Sequence, residues 1–136
     1  MYHFEQKLRV RYAETDQMGY VYYGNYSTYY EVARVESIRA LGLTYREIEE
    51  AGVIMPVLEN NSKYIRPAKY DDELTLKLRV EKWPNVRIRY DYDIFKGEVL
   101  IHRGFTSLVF VEKSSGKPCQ MPNLLGDLLK PFFDEV

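Results

Sequence analysis

The sequence predicts an α+β fold in which one long helix packs against a curved antiparallel sheet of about five strands. Several segments alternate apolar and polar residues, as a strand with one buried face does. Residues 25–41 instead repeat their apolar residues every three or four positions, which indicates a helix. The last three strand-like segments are joined by short turns, so they must run antiparallel to one another.

Length and composition indicate one globular domain. The chain has 136 residues, and we expect residues 1–136 to form a single domain. Nineteen basic and twenty acidic residues give a net charge of -1, which offers no support for nucleic-acid binding. One cysteine, Cys119, excludes an intrachain disulfide and a multi-cysteine zinc site. The polar N-terminus and the lack of a long apolar run predict a cytoplasmic protein without a membrane span.

The first strand is predicted over residues 4–12, where apolar and basic residues alternate. Leu8, Val10 and Tyr12 are expected on its buried side. Residues 13–24 form a loop, rich in aromatic residues, that connects this strand to the long helix.

The long helix is predicted over residues 25–41, with Asn25 as its N-cap and Gly42 just beyond its end. Its apolar positions cover much of the circumference. Two acid–base pairs spaced three residues apart are expected on the exposed part: Glu31 with Arg34, and Glu36 with Arg39.

The middle of the chain predicts a short helix followed by an irregular strand. Residues 44–51 form the helix, with Thr44 as its cap. Residues 53–58 form an apolar strand that Pro56 interrupts, which favours an edge position or a bulge. Residues 62–66 are a candidate continuation of that strand.

Three further strands are predicted over residues 74–81, 86–94 and 99–112. A turn at residues 114–118 closes the sheet, and residues 122–133 form a short helix or an irregular tail. One helix cannot cover both sheet faces and both edges, so we expect the chain to associate with a second copy.

The reacting group, if the chain is an enzyme, is expected to be a carboxylate. His3 and His102 lack a metal-ligand spacing, and His102 is expected to be a packed or surface residue. Cys119 has no neighbouring partner that would activate a thiol. The nucleophile elbow of serine hydrolases, the phosphate-binding loop and the dinucleotide-binding glycine pattern are all missing from the sequence. No metal or separate cofactor is expected.

Asp16 is the leading carboxylate because it lies in the loop just before the long helix. The first amides of a helix lack intrahelical partners and lie at its electropositive end, where they can stabilise an oxyanion. The ordinary alternative is that Asp16 caps its own turn. Glu14 and Glu31 are the competing carboxylates.

The run R-x-R-Y-A-E-T-D-x-M-G-x-V-Y-Y-x-N-Y at residues 9–26 resembles the 4-hydroxybenzoyl-CoA thioesterase family of hotdog-fold acyl-CoA thioester hydrolases. The likeness continues with YYEVARVESIRALG at residues 29–42, YIRPA at residues 64–68 and DDEL at residues 71–74. It therefore covers nearly the whole chain.

This resemblance implies a hotdog fold and hydrolysis of an acyl-CoA, whose coenzyme A is part of the substrate. It places the catalytic carboxylate at Asp16, as nucleophile or general base, and the amide that polarises the carbonyl at Tyr23. Many relatives carry histidine where this chain has Tyr23, so only the backbone role is carried over. Asn25 and Tyr26 match the pair at the helix start. The resemblance also implies a dimer or tetramer with the active site between subunits.

Basic residues on or near strands are candidates for binding the coenzyme A phosphates, although a solvated strand face explains each of them equally well. These residues are Lys63, Arg66, Lys69, Arg87 and Arg89. Two alternatives to an acyl-CoA thioesterase are open: a thioesterase acting on acyl-carrier-protein thioesters, and a non-catalytic acyl-CoA binding module.

Overall fold

The computed structural model describes residues 1–133, so the last three residues of the predicted domain lie outside the described part. The chain forms, in order, β1 (Tyr2–Arg9), α1 (Asn25–Arg39), α2 (Tyr45–Glu50), β2 (Val53–Ile54), β3 (Val57–Tyr64), β4 (Glu73–Val80), β5 (Arg87–Lys96), β6 (Val99–Val109), β7 (Val111–Glu112) and α3 (Asn123–Leu129). None of the helices in this range has the length and apolar character needed to cross a membrane.

Five strands form one antiparallel sheet in the order β1-β4-β5-β6-β3. The predicted α+β architecture, with one long helix on a five-stranded sheet, is confirmed. Strand β3 lies at an edge of the sheet, as Pro56 indicated. The short strands β2 and β7 pair with each other in a separate antiparallel ladder.

The face of the sheet that packs against α1 is apolar because alternate residues of β4 and β5 point towards it. In β4, four aliphatic side chains are at most 1% exposed: Leu74, Leu76, Leu78 and Val80. Tyr30 of α1 stacks on Tyr92 of β5 with ring centroids 4.0 Å apart. Burying one large apolar side chain contributes about 1.5–3 kcal/mol, so these layers supply much of the folding free energy.

Arg34 of α1 does not lie on the exposed part of the helix, and the predicted pair with Glu31 is wrong. The side chain is 7% exposed and donates from Nη1 to the Tyr92 hydroxyl at 2.9 Å and to Thr106 Oγ1 at 3.3 Å. The helix pattern did not reveal this position because arginine counts as polar. The second predicted pair, Glu36 with Arg39, is present at 3.2 Å.

Strand β1 begins two residues earlier and ends three residues earlier than predicted, so Tyr12 lies outside it with 77% of its surface exposed. The prediction that Tyr12 lies on the buried side is therefore wrong. The ladder gives way to a 3₁₀ turn, Tyr12–Glu14, in which the Glu14 carboxylate accepts a hydrogen bond from the Arg11 amide. This side-chain bond competes with strand geometry, and alternation alone cannot show it.

Strands β3 and β6 also differ from their predicted bounds. The strand predicted over residues 53–58 divides into β2 and the beginning of β3, and β3 continues to Tyr64 with a register shift between Val57 and Glu59. Its polar, exposed residues lack the alternation that identifies a half-buried strand. The predicted last strand divides at Phe110 into β6 and β7, because the chain leaves the main sheet to pair with β2.

Gly104 of β6 allows the close approach of α1, which gives a first prediction. A Cβ atom at this position would overlap the Tyr30 hydroxyl and the Asn61 carbonyl oxygen. We expect Gly104→Ala to lower the free energy of unfolding by about 2–3 kcal/mol, measured by urea denaturation. Gly126→Ala in α3 is the control, with an expected change below about 1 kcal/mol, since its nearest neighbour is the flexible end of Met121 at 3.3 Å. Equal losses in the two variants would contradict the prediction.

Candidate active site

The loop between β1 and α1 contains a short hairpin that presents Asp16. The Asp16 amide donates to the Tyr20 carbonyl at 2.8 Å, and the Tyr22 amide donates to the Glu14 carbonyl at 2.8 Å. At the tip, the Gly19 amide donates to the Asp16 carbonyl at 3.0 Å, and Gly19 adopts a φ of 80° that glycine tolerates well. Asp16 is therefore held at the base of a tight, hydrogen-bonded turn.

The two carboxylate oxygens of Asp16 have different surroundings. Oδ1 accepts hydrogen bonds from the amides of Met18 at 2.9 Å and Tyr20 at 3.4 Å, which is the turn-capping role given above as the alternative. Oδ2 accepts no hydrogen bond from any residue in the range 1–133. The half-buried side chain thus caps its turn with one oxygen and leaves the other available.

The start of α1 differs from the prediction in one respect. Gly24 is the N-cap and makes no side-chain cap, whereas Asn25 is the first helical residue, so the predicted Asn25 cap is wrong. The Asn25 side chain instead turns back and donates from Nδ2 to the Glu14 carbonyl at 2.8 Å. This bond ties the helix start to the hairpin.

Two backbone amides at the start of α1 are free. Within residues 1–133, the N–H groups of Tyr23 and Gly24 donate to no acceptor. Free amides at a helix start form an electropositive site suited to a carbonyl oxygen or an anion. The Tyr23 side chain is 65% exposed and lies against Tyr22 with ring centroids 4.6 Å apart, so it is not part of the core.

A small cavity of about 210 Å³ lies beside the hairpin. Its lining is formed by Tyr20, Val21, Tyr26, Tyr64, Ile65, Arg66 and Pro67. It therefore brings two of the predicted binding residues, Tyr26 and Arg66, next to the loop that carries Asp16. Lys69 is also close, because it pairs with Tyr20 in an isolated bridge. Burial raises the pKa of Tyr26 to about 12, so its hydroxyl stays protonated at neutral pH.

The remaining basic candidates lie on the other face of the sheet. Lys63 borders a groove there together with Arg103 and Phe105. Arg87 and Arg89 border a neighbouring groove of about 650 Å³. Within the chain, these three residues are therefore not brought together with Asp16.

Arg89 also has partners of its own on that outer face. It donates to Asp91 at 3.0 Å and lies over the Phe105 ring at 3.8 Å. A guanidinium held by a carboxylate and an aromatic face must exchange or share those contacts to bind a phosphate.

The two competing carboxylates have other environments. Glu31 is exposed on α1. Glu14 is buried and accepts hydrogen bonds from Arg11 and the Tyr29 hydroxyl. Neither residue combines a partly buried position with a free carboxylate oxygen as Asp16 does.

His102 is a packed residue behind Tyr26, which lines the cavity. It is fully buried on β6, stacks on Tyr26 at 4.0 Å between ring centroids, and shares a hydrogen bond with the Tyr30 hydroxyl. Burial lowers the pKa of His102 to about 4, so its ring is neutral at physiological pH. The only signal in the sequence was its alternation on a strand, which allowed either a packed or a surface position.

Comparison with known proteins identifies the family. A family model described as the thioesterase-like superfamily matches residues 10–130, from just after β1 to the end of α3. The chain belongs to the thioesterase-like superfamily.

Individual relatives agree with this assignment. A Bacillus subtilis (strain 168) protein, provisionally named acyl-CoA thioesterase YneP, is 36% identical over 125 residues, which is 90% of each chain. The acyl-CoA thioesterase YbgC of Haemophilus influenzae is 27% identical over 120 residues, which is 88% of each chain. A crystal structure of a DHNA-CoA thioesterase from Staphylococcus aureus superposes with a TM-score of 0.88 at 34% identity, covering 97% of this chain and 89% of that chain.

These comparisons confirm the hotdog fold and, at the level of the superfamily, the prediction of a thioester hydrolase. A solved 4-hydroxybenzoyl-CoA thioesterase matches with a TM-score of 0.82 at 20% identity, which shows the shared fold alone. The narrower resemblance to the 4-hydroxybenzoyl-CoA thioesterase family stays a prediction.

The buried, neutral His102 predicts a specific acid sensitivity. An unfolded chain binds a proton on this histidine below about pH 6.5, whereas the folded chain binds it only near pH 4, so stability falls as the pH falls through this range. At pH 5 the loss is about 2 kcal/mol. We expect His102→Gln to reduce the difference in unfolding free energy between pH 7 and pH 5 by that amount.

His3→Gln is the matched control, because His3 is the other histidine and is exposed on β1. It should keep the wild-type difference between the two pH values in urea denaturation. An unchanged difference in His102→Gln would contradict the assignment of the acid sensitivity to His102.

Proposed function

We propose that the chain hydrolyses the thioester bond of an acyl-CoA, giving a free acid and coenzyme A, with Asp16 as the catalytic carboxylate. The observation that carries the proposal is the position of this carboxylate. One oxygen is held by the turn and the other is free, on a hairpin that leads directly into the free amides at the start of α1. The names of the relatives, acyl-CoA thioesterase and DHNA-CoA thioesterase, supply the substrate class.

In the proposed reaction the thioester carbonyl oxygen accepts a hydrogen bond from the Tyr23 amide. The electropositive helix start stabilises the negative charge that develops on this oxygen, an effect of about 10²–10³ in rate for one such donor. The free oxygen of Asp16 then either attacks the polarised carbonyl carbon or activates a water molecule that attacks it. A thioester is reactive enough for one carboxylate and one preorganised donor to suffice.

Two routes use the same residues. Asp16 attacks the carbonyl carbon, the C–S bond breaks, coenzyme A leaves as a thiol after protonation, and water hydrolyses the acyl–aspartyl anhydride. Alternatively, Asp16 removes a proton from a water molecule that attacks the carbonyl, and the same C–S bond breaks. Both routes consume one water and return Asp16 to its starting state.

We place the substrate in the cavity beside the hairpin. Tyr26 and Arg66 line it in the same subunit, and Asn25 stands at the adjoining helix start. Arg66 is the first candidate for a coenzyme A phosphate. Lys63, Arg87 and Arg89, on the outer face of the sheet, are proposed to meet the nucleotide of a substrate bound mainly to another subunit.

Self-association as a dimer or tetramer completes this proposal. A cavity of about 210 Å³ is smaller than the 300 Å³ or more that is usual for a small-molecule site, so one subunit offers too little enclosure. Large apolar side chains around the loop are also exposed, which is typical of an interaction surface. These residues are Tyr12, Met18, Tyr20, Tyr22, Tyr23 and Tyr70.

Asp16→Asn tests the catalytic assignment. The amide oxygen of asparagine can still accept the Met18 and Tyr20 hydrogen bonds, so we expect the hairpin to keep its fold. Loss of the charged oxygen should reduce kcat for acyl-CoA hydrolysis by about 10²-fold or more. Thiol release from short, long and aromatic acyl-CoAs measures both turnover and preference, with Glu31→Gln as the control that keeps wild-type turnover.

Near-wild-type turnover by Asp16→Asn would remove Asp16 from the chemistry. If the wild type binds acyl-CoAs without turnover, the binding-module alternative replaces the proposal. Hydrolysis of carrier-protein thioesters with none of acyl-CoAs would instead identify an acyl-carrier-protein thioesterase.

Arg66→Ala tests the placement of the nucleotide. We expect the KM for acyl-CoAs to rise several-fold, while the KM for short thioesters without a nucleotide stays the same, because only the former carry phosphates. Arg87→Ala should show the same selectivity if the outer face meets the nucleotide. Arg46→Ala, which removes an exposed cation of α2, is the control. Equal effects of a substitution on both substrate types would exclude that residue from phosphate binding.

A further inference from the structure

Glu14 connects the two parts of the loop that the proposed reaction needs in fixed positions. It ends the 3₁₀ turn Tyr12–Glu14 and begins the hairpin that carries Asp16. Its 9% exposure makes it a buried carboxylate. A buried charge persists only when partners satisfy it, so its hydrogen bonds show what it holds in place.

Both oxygens of the Glu14 carboxylate are occupied. Oε1 accepts hydrogen bonds from the Arg11 amide at 2.8 Å and the Tyr29 hydroxyl at 3.0 Å. Oε2 accepts from the Arg11 guanidinium, at 3.1 Å from Nε and 2.8 Å from Nη2. Burial raises the pKa of Glu14, but the hydrogen bonds from Arg11 and Tyr29 lower it by more, so the carboxyl is ionised at neutral pH.

The backbone of the same residue holds the other side of the loop. The Glu14 carbonyl accepts hydrogen bonds from the Tyr22 amide at 2.8 Å and from Asn25 Nδ2 at 2.8 Å. Tyr22 lies on the returning strand of the hairpin, and Asn25 is the first residue of α1. With Tyr29 one turn further along, Glu14 contacts the hairpin and two positions of the helix.

We infer that Glu14 is a positioning residue for the proposed hydrolysis, an inference that rests on the proposed function. It holds the start of α1 against the hairpin, so that the amides of Tyr23 and Gly24 and the carboxylate of Asp16 keep one relative placement. Tyr29 makes the contact with Glu14 from the helix. Rates of reactions between preorganised groups are sensitive to small displacements, and about 1 Å can cost about 10²-fold.

Two variants separate this role from general stability. Tyr29→Phe removes one hydroxyl, and with it the bond from the helix to the Glu14 carboxylate. Glu14→Gln keeps the size of the side chain and removes its charge. We expect kcat for an acyl-CoA to fall about tenfold in Tyr29→Phe and by about 10–10²-fold in Glu14→Gln. KM should change less than about twofold, because neither residue lines the cavity.

The kcat of each variant is calculated from the concentration of folded protein, at a temperature at which circular dichroism shows every variant to be folded. The double variant should be at most about threefold slower than the slower single variant, because both substitutions weaken the contacts of the same Glu14 side chain. Glu31→Gln, an exposed carboxylate of α1, is the matched control and should keep the wild-type kcat. If Glu14→Gln fails to fold, the kcat of Tyr29→Phe alone tests the positioning role.

A purely structural role would lower the unfolding temperature and leave kcat unchanged, and that result overturns the inference. Wild type and Asp16→Asn belong in the same series, so that the two proposals can be told apart. Wild-type kcat in Glu14→Gln and Tyr29→Phe, with Asp16→Asn inactive, removes only the positioning role. A wild type that hydrolyses no acyl-CoA removes the proposed function and the inference together.

Discussion

The packing of α1 on the sheet is the interaction on which the rest of the structure depends, because it buries polar groups together with apolar ones. Tyr30 stacks on Tyr92, and Arg34 donates to the Tyr92 hydroxyl and to Thr106 in the same layer. Hydrogen bonds to a charged group contribute about 1.5–3 kcal/mol, and a buried polar group without a partner costs a similar amount. The helix therefore has one rotation and one depth at which Arg34 Nη1 and the Tyr92 and Thr106 hydroxyls are all hydrogen-bonded.

This constraint extends from the core to the start of the helix. Thr106 donates to Asn60 of the edge strand at 2.7 Å, and Asn60 donates to Ser27 in the first turn of α1 at 2.9 Å. On the opposite side, Asn25 donates to the Glu14 carbonyl of the hairpin. The direction of the first free amides follows from the position of the helix, so core packing fixes where these amides lie relative to the loop.

Hydrophobic periodicity predicted the elements that have one apolar face, but it failed where polar side chains stabilise the structure. Strands β4 and β5 and helix α1 match their patterns closely because their buried sides are mainly aliphatic or aromatic. Arg34 was misplaced because its burial depends on a hydroxyl network supplied by strands far along the chain. Strand β3 forms through its backbone pairing with β6. Because its residues are mostly exposed, no buried face marks the strand in the sequence.

Within the site, the sequence could indicate Asp16 from its place before a helix, but it could not rank the carboxylates around it. Glu14 and Asp16 are two positions apart, so alternation alone does not distinguish them as candidates for the reacting group. Their surroundings separate them: four donors occupy Glu14, whereas two amides hold a single oxygen of Asp16. Neighbouring carboxylates in unlike environments can take unlike roles, one structural and one reactive. One contact that distinguishes the environment of Glu14 joins it to Tyr29, and only the folded helix brings that hydroxyl within reach.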